Sequence, residues 1–144
     1  MKRFVFRLES VLRWRRGQLE QEQNRLQAMA AGRDAIRRRL EELERMRREA
    51  EACVLSSGGV SGSELAALEA FRRKLAAERA RWQRELEECE HRIQAQREAV
   101  LEARRRVRLL ERLKERRHEE WEADVAKELE TLATESYLAR WGRS

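Results

Sequence analysis

The chain has 144 residues, 42% of them Asp, Glu, Lys or Arg, with no proline, six glycines and a formal net charge of +6. That composition belongs to long helices or coiled coils, and 6% aromatic content leaves little with which to build a globular core or an enclosed enzyme pocket. No apolar run is long enough for a signal peptide or a membrane span, so the sequence predicts a cytoplasmic protein.

The first predicted element is a helix from about Phe4 to Val54. Alternating steps of four and three pass through Leu8, Leu12, Arg15, Leu19, Glu22, Leu26, Met29, Arg33, Ile36, Leu40, Leu43, Arg47, Ala50 and Val54. Ten of these fourteen positions are apolar, which gives one sticky edge that needs a partner helix. Gly17 and Gly32 lie inside it, each costing about 1 kcal/mol relative to alanine. The rhythm then breaks at residues 55–63, a serine and glycine turn, and Ser63 is expected to cap the next helix.

The second helix is predicted from about residue 64 to 138. Its seam runs through Leu65, Leu68, Arg72, Leu75, Arg79, Trp82, Leu86, Cys89, Ile93, Gln96, Val100, Ala103, Val107 and Leu110. The expected fold is therefore all-α: a long antiparallel two-helix coiled-coil hairpin, residues 1–144 forming one elongated domain, with the second helix longer and overhanging the first. Two registers satisfy the seam. Opposed residue numbers sum to about 122 in one, which sets Leu40 against Trp82, and to about 115 in the other, which sets Leu40 against Leu75. Arg33 and Arg47 face apolar partners in both and are expected to snorkel outward. Cys53 and Cys89 lie roughly 30 Å apart along the hairpin, too far for a disulfide, so both are expected to be free thiols.

Past Leu110 the rhythm slips. Leu113, Trp121, Val125, Leu129 and Leu132 define a tail stripe that the first helix is too short to cover, and such a face seeks a partner elsewhere.

Charge is unevenly placed. Residues 1–16 hold six basic side chains and one acidic, residues 17–100 hold sixteen of each, and residues 101–118 hold eight basic and three acidic. Residues 119–135 reverse the sign, with seven acids against Lys127. An antiparallel hairpin brings the two basic segments together at its open end, where an uncompensated patch including Arg13, Arg16, Arg105, Arg108 and Arg112 suits an acidic partner.

Nothing in the chain reads as catalysis. His91 and His118 lack a spaced set of cysteines or carboxylates, so no metal is expected; there is no phosphate-binding loop or nucleophile elbow, and no cofactor is implied. Paired acids such as Glu87 and Glu88 on a solvated helix have nothing to separate their pKa values.

The opening Phe4-Val5-Phe6-Arg7-Leu8-Glu9-Ser10-Val11-Leu12-Arg13-Trp14-Arg15 resembles the Phe-x-Phe-x-Leu-x-x-Val-Leu-x-x-Arg start of the FliJ family, coiled-coil proteins of the bacterial flagellar type III export apparatus. The stretch from Leu110 to Arg117 followed by Glu120 and Trp121 is similar too, whereas Leu129-Glu130-Thr131-Leu132 departs from the family's usual step there. The resemblance implies a non-enzymatic, stalk-like adaptor that binds the hexameric flagellar export ATPase and links it to the export gate protein and to export chaperones. It implies a gate contact at Phe71 and Leu75, no small-molecule substrate, and a place at the inner face of the membrane reached through partners alone. Two other classes fit parts of the sequence. A basic nucleic-acid-binding helix is suggested by Arg104, Arg105 and Arg106, although stacking aromatics are not interleaved and the acidic run would repel phosphate. A purely structural dimer would pair helices between chains across a glycine hinge, and a stalk in an injection-type secretion system would use the same physics as the flagellar one.

Overall fold

The computed structural model describes residues 2–56 and 58–143; Ser57, within the expected turn, lies outside the described residues. Two helices form an antiparallel helical hairpin: α1 spans Glu9–Leu55 and α2 spans Gly62–Trp141. The chain divides into two units, one of residues 22–100 and one of residues 1–21 with 101–144.

In the unit of residues 22–100, Leu43, Leu68, Leu75, Ile93 and Val100 are buried. These are seam positions, so the apolar edges of the two helices have closed on each other. The side chain of Gln96 donates to the backbone oxygen of Glu22 at 2.9 Å and to its carboxylate, while the Cys89 thiol lies 3.8 Å from the backbone oxygen of Met29. Both contacts join residues whose numbers sum to 118. These two contacts fall between the registers expected from the heptads, while the longer ion pairs across the seam scatter around them, Arg39 with Glu78 summing to 117 and Arg72 with Glu51 to 123. A sum of 122 would set the Gln96 amide against Leu26, and a sum of 115 would set Glu22 against Ile93, each leaving a polar group facing hydrocarbon. Arg33 and Arg47 do reach outward, to Asp34 at 3.4 Å and Glu44 at 2.6 Å. Cys53 and Cys89 are free thiols, the first exposed and the second half-buried.

The cap of α2 is Ser61 instead of the expected Ser63. Its hydroxyl accepts from the backbone N–H of Glu64 at 3.2 Å, the Ncap-to-N3 bond of a capping box, and Ser63 has only Ala66 three residues on. Gly58 takes a φ of +70°, a conformation that suits glycine within the reversal.

In the other unit, α1 begins at Glu9 and not near Phe4. Residues 4–8 are not helical, and the N–H of Glu9 bonds to the Phe6 oxygen at 3.2 Å to start the helix. A helix would throw Phe4 and Phe6 to different sides, since residues two apart do not share a helical face. In an extended chain they share one side. Phe6 is buried with Leu12 and Val107, with Phe4, Leu110 and Leu113 packed around them, while Val5 between the two phenylalanines is 77% exposed. At its far end α2 runs to Trp141, three residues past the expected limit, and stops at Gly142, whose N–H bonds the Leu138 oxygen.

Candidate partner-binding surface

The unit formed by residues 1–21 and 101–144 carries most of the residues singled out by the sequence. Its two basic segments touch: Lys114 Nζ lies 2.9 Å from Glu9 Oε2, and Arg16 donates to Glu111 at 3.2 Å. The hydrogen bond from Lys114 holds the Glu9 carboxyl below its ordinary value of 4.5; burial opposes it, and the charges of Lys114, Arg16 and Arg13 add to the lowering.

The five arginines expected at this end divide by their partners. Arg16 is paired with Glu111, and Arg105 with Glu102 at 3.6 Å. Arg13, Arg108 and Arg112 are exposed and make no ion pair among the described residues. Arg104 and Arg116 share that condition and were missed by reasoning from sequence blocks. With Arg108 and Arg112 they form a row at steps of four, which is one line along a helix face about 18 Å long. The spacing was the signal available. The result is a strip of unneutralised guanidinium groups on a rigid helix, suited to an extended acidic surface.

Beside this strip, the segment before α1 lies on α2. Phe4 meets His118 edge to face at 4.9 Å between centroids and Trp121 at 5.9 Å, and the indole N–H of Trp121 donates to the Lys2 oxygen at 2.9 Å. His118 also has Glu122 at 3.4 Å from Nδ1. A shallow groove runs between residues 2–8 and α2, floored by Leu113 and Trp121 and edged by Arg117, Glu120 and Asp124.

The expectation that nothing from the start of the chain covers the tail stripe therefore holds only for its outer half. Leu113 joins the core cluster, Trp121 and Val125 are half-buried, and Leu129 and Leu132 are exposed. The reason is reach. Six extended residues span about 20 Å where six helical ones span about 9 Å, so residues 2–8 extend along α2 to Trp121.

In the unit of residues 22–100, Leu75 is buried at 5% exposure and Phe71, one turn earlier, is half-buried. Leu75 is thus occupied by the seam, and Phe71 alone of the pair has surface to offer. Among the described residues no group of three His, Cys, Asp or Glu side chains is placed to hold a metal ion, and no helix is long and apolar enough to cross a membrane.

The profile of the family described as flagellar FliJ protein matches residues 4–132. The chain belongs to the FliJ family. The matched span takes in the Phe4 and Phe6 anchor, the whole seam, the arginine row and the tail stripe as far as Leu132. FliJ membership and the helical hairpin make the protein a component of flagellar export. No curated protein and no solved structure matches the chain.

Proposed function

We propose that this FliJ-family chain is a non-enzymatic adaptor that binds the hexameric flagellar export ATPase and links it to the export gate and to export chaperones. The observation that carries the reading is the row Arg104, Arg108, Arg112 and Arg116 with Arg13, exposed and without ion pairs among the described residues. Cations left unneutralised on a helix repel one another, and their use is an acidic partner. An ATPase ring offers such a partner in the loops that line its opening. The gate contact falls on Phe71, which Leu75 supports from the seam beneath it. In this reading the protein works on the cytoplasmic side and reaches the membrane through its partners.

The test is capture of purified flagellar export ATPase by the immobilised chain and by a variant carrying Arg13→Glu, Arg108→Glu and Arg112→Glu. Among the described residues none of the three arginines has an ion pair to lose, so the hairpin is expected to survive the reversal. Capture by the wild type and at least about tenfold weaker capture by the variant is the expected result. Equal capture keeps the adaptor and removes the arginines from the contact. No capture by either rejects the adaptor, and nucleic-acid binding with a steep salt dependence would put the basic-helix reading in its place.

A further inference from the structure

The end of α2 carries a surface that the chain leaves open, and its charge is opposite to that of the arginine row. From Ala126 to Arg143 every residue is exposed, with Leu129 at 48% and Leu132 at 57%. These two leucines continue the line of Trp121 and Val125 at steps of four and three, which is the spacing of a seam that needs a second helix.

The flanks of that seam are acidic. Glu122 and Glu128 stand three residues either side of Val125. Glu128 also stands four residues before Leu132, and Glu135 three after it, so all three border the stripe at 3.6 residues per turn. Lys127, the single basic residue of 119–135, is two residues from both Val125 and Leu129, and therefore points to the opposite face. Glu128 and Glu135 have no ion pair among the described residues, while Glu122 has only the His118 ring at 3.4 Å. The inner end of the stripe is closed where Phe4 and the Lys2 oxygen meet Trp121, which leaves about 27 Å of helix, the length of some eighteen residues, for a partner.

We propose that this stripe is a docking surface for a basic amphipathic helix, whose apolar seam packs on Val125, Leu129 and Leu132 and whose flanking lysines or arginines pair with Glu122, Glu128 and Glu135. The charge pattern selects this occupant over others. A second copy of the stripe would set glutamates against glutamates, and an anionic membrane or a nucleic acid would meet the same repulsion. The surface is separate from the arginine row, and so stands whether or not that row meets the ATPase.

The probe is a fluorescein-labelled peptide of three heptads with leucine at the seam positions and lysine at the flanking ones, mixed with the full chain and followed by fluorescence anisotropy. Like charges at its own flanks keep the peptide from pairing with itself. Binding is expected to weaken at least about tenfold with Leu129→Asp and Leu132→Asp, and by a similar factor with Glu128→Lys and Glu135→Lys. A peptide with glutamate at the flanking positions should fail on the wild type and bind the glutamate-to-lysine variant. Since Leu129, Leu132, Glu128 and Glu135 are exposed, the variants should keep wild-type helicity by circular dichroism. Equal binding of a scrambled lysine peptide of the same composition overturns the proposal, because charge alone would then explain the contact. Binding unaffected by the two leucine substitutions overturns it too. So does a wild-type dimer in sedimentation that these substitutions dissociate, which would assign the stripe to a second copy.

Discussion

Replacing Gln96 with leucine removes a polar contact of the observed seam that the neighbouring registers would leave unpaired. Gln96 gives up a hydrogen bond to the Glu22 backbone, about 0.5–1.5 kcal/mol, and one to its carboxylate, about 1.5–3 kcal/mol. A leucine buried there returns about 1.5–3 kcal/mol. Glu22 is not stranded by the change: its side chain keeps 25% exposure and has Arg25 at 3.2 Å. The terms partly cancel, so stability should fall by no more than about 3 kcal/mol. Register should move much more. With leucine at position 96, sliding α2 by half a heptad, about 5 Å, places apolar residues opposite Leu26 with no amide left unpaired. The native cysteine at position 89 supplies the assay, because its thiol lies 3.8 Å from the backbone of Met29. In a Met29→Cys, Cys53→Ser background the two thiols should oxidise to an intramolecular disulfide quickly and nearly completely, and a 5 Å slide takes them out of bonding range. Gln96→Leu should slow that cross-link several-fold while the helix signal stays constant. If the cross-link forms at the same rate and yield, the Glu22 and Gln96 pair does not set the register.

Two smaller predictions bear on the helix ends. Ser61→Ala should lower stability by about 1 kcal/mol in a denaturant melt, whereas Ser63→Ala should leave it nearly unchanged, since the Glu64 N–H bonds to Ser61. For Glu9, whose carboxyl is held low by Lys114, the folded state binds its proton less readily than the unfolded chain. Its contribution is therefore present above the ordinary value of 4.5 and lost as pH falls through the lower folded value. A pH titration of Trp121 fluorescence should show loosening of the N-terminal contact in that acid range, and Glu9→Gln, neutral at every pH, should remove the dependence and hold the contact in its acid-loosened state at neutral pH.

The heptad rhythm, the absence of proline and the single serine and glycine break determine by themselves two long helices, the second the longer, whose apolar edges leave water by pairing, and the structure shows that they pair within the chain as a hairpin. The same local information shows that positive charge concentrates in residues 1–16 and 101–118 and that acid follows in 119–135. Register was beyond it, since leucines repeat identically every seven residues and contacts across the seam, such as that of Glu22 with Gln96, break the tie. The unwound start was beyond it as well: Phe4 and Leu8, four apart, continue the helical rhythm read alone, and what draws residues 4–8 out into an extended strap is the surface of Leu113, His118 and Trp121, more than a hundred positions away. Which cations are paired was decided by neighbours in space, because Arg16 and Arg105 meet glutamates while Arg108 and Arg112 make no ion pair among the described residues. Local patterns fix what each segment can form; contacts between distant segments fix where it sits and what it leaves exposed.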